Sequence, residues 1–260
     1  MDPIKRPLAE HLNASRLARL VLVLVAFTLL GCAGVNTVSR QSNPKELFDT
    51  GMQSYLDERY EEAETSFKTL LEEHPLGTYA LRAQLRLGDT CYAMEKYDDA
   101  SAYYTSFVSL HPMHPRAPYA LFQKGMSHFK EVLSYDRDQT ATKKALFAFE
   151  DLVATYPDSV YYARSKEFIK FLRRRLADRE FYVAHFYFKS KNYKGALSRL
   201  GGILKDYPDE GITDKALYYI GESYKRLGEK KLSDETFATL IKEFPQSPFA
   251  REVKGLSKEG

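Results

Sequence analysis

The chain has 260 residues, 44% of them apolar, which is enough for one large domain or a short repeat array with its own core. Charged residues make up 28% and leave a net charge of only +3, so the clustered basic face that nucleic acid requires is not expected. Tyr (19) and Phe (16) are abundant and Trp is absent, a usage that serves helix packing first and protein contact second.

Residues 1–31 read as an export signal. Lys5, Arg6, Arg16 and Arg19 give a basic flank, and Leu20 to Leu30 is an apolar run broken only by Thr28. Eleven residues are too few to span a bilayer, which takes about 20. The run ends in Leu29-Leu30-Gly31-Cys32, which resembles the lipobox of bacterial lipoproteins. That resemblance makes Cys32 the lipid attachment point after cleavage, and the lipid is the only added group expected. Ala33 follows Cys32, where an Asp commonly retains lipoproteins at the inner membrane, so outer-membrane delivery is implied. Residues 33–43 lack periodicity and read as a flexible tether, on the order of 18 Å r.m.s.. Only Cys91 remains as a further thiol, in an apolar helical stretch, and it is expected to be a small core residue.

From residue 44 the chain repeats. An aromatic or His residue precedes Pro at His74-Pro75, His111-Pro112, Tyr156-Pro157, Tyr207-Pro208 and Phe244-Pro245. Eight residues before each Pro stand Phe67, Tyr104, Phe149, Leu200 and Phe237. Four residues earlier stand Ala63, Ala100, Ala145, Ala196 and Ser233, and twelve before those Gly51, Gly88, Ala184 and Gly221. The small residue allows helix approach, the large one a turn later fills the gap, and Pro stops the unit. The third repeat keeps Gly125, but with eight extra residues in its inter-helix turn around 134–139. Asp136 and Asp138 flank Arg137 there and are expected to hold the turn by local charge pairs.

These offsets resemble the tetratricopeptide repeat. The expected fold is an all-α, right-handed superhelix of about five helix pairs. Residues 44–157 would form an N-terminal half with repeats 1–3, 158–250 a C-terminal half with repeats 4–5, and 251–260 a tail. From Ser159 to about Ser190 no Pro or Gly intervenes, which predicts one helix of roughly 46 Å in the fourth repeat. Arg173-Arg174-Arg175 within it reads as a solvated face.

No catalytic set, phosphate loop or metal-ligand spacing emerges, and His128 and His185 stand isolated on their helices. Repeats of this kind bind partners along extended grooves, so a scaffold is expected rather than an enzyme.

Taken together, several segments resemble the BamD family, the lipoproteins of the outer-membrane β-barrel assembly machine. They are His74-Pro75-Leu76-Gly77-Thr78-Tyr79, Ala83-Gln84-Leu85, His111-Pro112-Met113-His114-Pro115, Asp136-Arg137-Asp138, Tyr156-Pro157-Asp158-Ser159 and Leu176-Ala177-Asp178-Arg179-Glu180. The resemblance implies a protein lipid-anchored at the periplasmic face of the outer membrane. Its C-terminal half would dock on a POTRA domain of the central barrel subunit, BamA. Arg199 matches the family arginine at that contact, nine residues before Pro208. The N-terminal half would receive the C-terminal signal of unfolded outer-membrane proteins, with Tyr79, Gln84, Tyr92 and Tyr119 matching the pocket positions. Other Bam lipoproteins are further implied partners. Asp89 and Cys91 stand where the family usually has aromatics, which alters the expected pocket shape. The rival expectation is an envelope lipoprotein that scaffolds cell-wall or division proteins, as Tol–Pal-associated repeat proteins do.

Overall fold

The computed structural model describes residues 42–208 and 210–256. The signal segment and Cys32 lie outside the described residues. From Asn43 on, the chain forms one compact unit. Among the described residues there are eleven helices and no strand. They are α1 (Pro44–Leu56), α2 (Tyr60–Glu73), α3 (Thr78–Ala93), α4 (Tyr97–Leu110), α5 (Ala117–Lys130), α6 (Thr140–Thr155), α7 (Tyr162–Lys189), α8 (Tyr193–Asp206), α9 (Thr213–Arg226), α10 (Lys230–Glu243) and α11 (Pro248–Leu256). Each helix packs on the next, and α1 on α3, α7 on α9 and α9 on α11 also touch. This is the TPR-like superhelix: five helix pairs followed by α11.

The turns repeat as faithfully as the sequence. The residue before each unit-ending Pro has φ between −126° and −135° and ψ between 47° and 64°. Its N–H still donates to the carbonyl four residues back, as His74 does to Leu70. The Pro ring excludes the helical region for its predecessor, so every second helix stops in the same shape. Four of the five first helices end differently, in a left-handed residue: Glu58, Glu95, Lys191 and Gly228, with φ of 59°, 60°, 62° and 81°; α5, which leads into the inserted turn, does not. The following N–H closes a six-residue ring, for example Lys96 N to Cys91 O at 2.9 Å.

Within each pair the contact is a ring set into a missing side chain. A Cβ on Gly51 would lie 2.6 Å from Phe67, on Gly88 2.8 Å from Tyr104, and on Gly125 2.6 Å from Phe149. Gly221 faces Phe237 in the same way. The small residues Ala63, Ala100 and Ala145 are fully buried in the same pairs, as is Ala196 in the fourth. In the fourth pair both partners change together: Ala184 replaces the glycine and Leu200 the ring, and both are buried.

The long helix α7 has 28 residues, about 42 Å at 1.5 Å per residue. Its Leu172 belongs to the core of Ala145 and Phe149, whereas its Ala177, Phe181 and Ala184 belong to that of Ala196 and Leu200. Two cores thus share one rigid element. Cys91 is fully buried, and burial pushes its thiol up to about 11, which leaves it unreactive.

One expectation is refined and one corrected. Arg173-Arg174-Arg175 keeps contact with solvent, with Arg174 exposed and its neighbours half-buried, and it also ties α7 to neighbouring loops. Arg173 pairs with Glu210 at 3.0 Å, Arg174 donates to the carbonyls of Glu210 and Gly211 at 2.6 and 2.8 Å, and Arg175 donates to that of Leu133 at 3.0 Å. The inserted turn is likewise organised by hydrogen bonds to backbone carbonyls. The buried Gln139 amide donates to Ser134 O and Arg137 O at 2.8 and 3.0 Å, and Arg179 to Asp136 O at 3.0 Å. A carbonyl has no charge to advertise, so a sequence shows only the arginine and not its acceptor.

Candidate partner-binding surfaces

The N-terminal half holds a cavity of about 430 Å³ between α1, α3 and the start of α5. Its floor is Asp89, buried and fully engaged. Oδ1 accepts from Tyr104 Oη at 2.8 Å and Tyr119 Oη at 2.7 Å, and Oδ2 accepts from Arg86 at 3.0 Å. Gln123 in turn donates to Tyr119 Oη at 3.2 Å. Burial and the Asp89 charge hold both tyrosines far above the ordinary phenol value, so they act only as neutral donors. Asp89 is therefore the hub that fixes Tyr119 at the pocket wall.

The rim is cationic. Arg82, Arg86 and Arg116 line the cavity, with His114 beside them. Arg82 lies 4.1 Å over the Phe48 ring and 5.7 Å from that of Tyr79, and Arg116 sits 6.0 Å from the Tyr119 ring. Each planar guanidinium is thereby held on an aromatic face with donors left for a ligand. The one lining carboxylate, Asp89, is already engaged. The arrangement offers a carboxylate-bearing, apolar peptide two things at once: forked donors for the charge and rings for the side chain.

The four tyrosine and glutamine positions do not converge. Tyr119 lines the cavity. Tyr79 does not line it but packs tilted against the lining Phe48, with ring centroids 5.7 Å apart. Gln84 donates to Ser106 at 3.0 Å and faces an adjoining groove with Tyr103 and Leu110, which shares Thr78, Leu81 and His114 with the cavity. Tyr92 packs edge-on against Tyr97 at 5.4 Å in the core of the first two repeats. The residues that sequence reasoning missed are Phe48, Arg82, Arg86 and Arg116. Arg82, Arg86 and Asp89 stand at i, i+4 and i+7 of one helix, so their shared face was available as a signal.

In the C-terminal half, Arg199 is exposed on α8, next to the buried Leu200. It reaches back to Glu180 of α7 at 3.2 Å. An exposed pair of this kind is worth under about 1 kcal/mol, so the guanidinium can exchange Glu180 for a partner's carboxylate at little cost. Among the described residues no helix is long and apolar enough to cross a membrane.

Comparison with known proteins covers almost the whole array. The chain is 29% identical over 227 residues to the outer membrane protein assembly factor BamD of Caulobacter vibrioides, which is 86% of this chain and 74% of that protein. It is 29% identical over 252 residues to the BamD of Neisseria meningitidis serogroup B, covering 90% and 93% of the two chains. It is 30% identical over 199 residues to that of Xylella fastidiosa strain 9a5c, covering 73% and 68%. The family model described as "YfiO: Outer membrane lipoprotein" matches residues 40–238, from just before α1 into α10. With the first four helix pairs, the long bridging helix and the inserted turn all inside that match, the chain belongs to the YfiO family of outer membrane lipoproteins.

Proposed function

We propose that this chain is a non-catalytic scaffold of outer-membrane β-barrel protein assembly, held at the periplasmic face of the outer membrane by lipid on Cys32. The observation that carries this reading is its family membership, with relatives named as assembly factors along nearly the full length. In this reading the C-terminal half docks a POTRA domain of the central barrel subunit through the face that carries Arg199. The exposed guanidinium with a weakly held partner supports that role. The N-terminal cavity receives the C-terminal signal of unfolded barrel proteins. Three arginines around a ring-lined cavity support recognition of a terminal carboxylate beside an aromatic residue. Other Bam lipoproteins are further partners.

The test is gentle detergent solubilisation of the outer membrane and capture of a tagged full chain, beside Arg199→Glu. A POTRA-bearing barrel protein should co-purify with the wild type and be lost from the variant. Cell-wall or division proteins with no barrel protein would instead establish the rival envelope scaffold. For the cavity, Tyr119→Ala and Tyr79→Ala should both weaken binding of a barrel-protein C-terminal peptide. Unchanged affinity in both would remove the cavity from the mechanism.

A further inference from the structure

The junction between the second and third repeats gathers three potential metal ligands. Asp98 lies in the first turn of α4, His128 in the last turn of α5, and Glu131 just after it. One donor atom from each lies within 4.8 Å of the others, and this is the one such group among the described residues. His128 is only 6% exposed. Its Nε2 sits 2.9 Å from Ser101 Oγ, while its Nδ1 is buried and has no hydrogen-bond partner among the described residues. That nitrogen faces the carboxylates, with Glu131 Oε2 at 3.8 Å, beyond hydrogen-bonding distance.

A buried imidazole nitrogen left unmatched in front of two carboxylates is an arrangement that a protein rarely keeps without purpose. When Nε2 carries the ring proton it donates to Ser101 Oγ, and Nδ1 then presents a lone pair toward Asp98 and Glu131. This is how a ligating histidine is usually oriented, with its second nitrogen fixed by an outer hydrogen bond. We propose that Asp98, His128 and Glu131 form a zinc site that clips α4 to α5 across the repeat junction.

One nitrogen and two carboxylate oxygens suit zinc, with water as the fourth ligand. Donors at about 2.0–2.1 Å from a tetrahedral zinc are about 3.4 Å apart. Closing from 4.8 Å is within reach, because Asp98 is exposed and Glu131 follows the helix end. Burial, with Lys144 and Lys124 nearby, lowers the His128 pKa and keeps the imidazole in the neutral form that binds metal. Burial and then Asp98 raise that of Glu131, a repulsion that a dication would relieve. The competing cation is Lys144 of α6, whose Nζ lies 4.0 Å from Asp98 Oδ1. Lys144 is exposed and can swing into water.

This inference is independent of the partner reading. The test uses the full chain in detergent, without a polyhistidine tag, titrated with Zn²⁺ against a chromophoric chelator. The wild type should bind one Zn²⁺ per chain and gain thermal stability with added zinc. Asp98→Asn and Glu131→Gln, both at the rim of the site, should retain the helical circular dichroism, bind at least about tenfold more weakly and lose the zinc-induced shift. Ser101→Ala should also weaken binding, by about 10–100-fold, through loss of the outer hydrogen bond. A wild type that binds no zinc, or either carboxylate variant binding zinc as the wild type does, would overturn the assignment.

Discussion

The ring-into-glycine contact gives a sharp prediction at Gly125. Gly→Ala inside a helix ordinarily stabilises by about 0.5–1 kcal/mol, because alanine has less backbone freedom to lose. Here the added Cβ would meet Phe149 Cε1 at 2.6 Å, about 1 Å inside the optimum for two carbons. Phe149 cannot retreat. It is fully buried, stacked on Phe168 at 4.9 Å with an 11° interplanar angle, and tilted against Phe122 at 5.7 Å. Overpacking of this kind costs about 1–3 kcal/mol, which exceeds the helical gain. Gly125→Ala should therefore be destabilised by about 1–2 kcal/mol net, lowering Tm by about 2–8 °C for a domain of this size. Gly201→Ala is the control: the site lies inside α8 and an added Cβ there has no atom within 4 Å, so Tm should rise. The fourth repeat supplies the rescue. Combining Gly125→Ala with Phe149→Leu copies the natural Ala184–Leu200 pair, so the double variant should lose less than the sum of the singles. Thermal melts followed by circular dichroism read the wild type, the three single variants including Phe149→Leu, and the double variant. If Gly125→Ala melts at or above the wild type, as Gly201→Ala should, the packing argument fails.

Two further outcomes follow from single contacts. Asp89→Ala strips the acceptor from the buried Tyr104 hydroxyl and should cost about 1–3 kcal/mol in urea unfolding, partly regained by adding Tyr104→Phe. Lys68 first, then Lys96, hold the Glu64 carboxyl below its ordinary value of 4.5. A depressed acid stabilises the fold above its unfolded pKa and loses that contribution as pH falls through the folded one. Glu64→Gln should therefore flatten the fall in urea midpoint below about pH 4.5, and an unchanged acid slope would exclude this pair as its source.

The sequence by itself determined the repeat. Pro, ring, small residue and glycine at fixed offsets are local requirements of helix stop and helix approach, so they are legible wherever they occur. It also showed that α7 is one long uninterrupted helix, since 159–190 holds no Pro or Gly, although the helix starts three residues later than that stretch, at Tyr162. The four proposed pocket positions show where local reading stops. They fall within the first repeats, yet Tyr119 lines the cavity, Gln84 faces the groove adjoining it and Tyr92 packs against the core. Which side of a helix meets which neighbour depends on the pitch of the superhelix, which no single repeat encodes. The distant acceptors of Arg174 and Arg175 were hidden for a related reason, because backbone carbonyls carry no residue identity, and Glu210, which Arg173 meets, lies 37 residues away. Only tertiary structure placed Asp98, on one helix, against His128 and Glu131 on the next, 30 and 33 residues away in sequence. The packing of one repeat on another closed that distance.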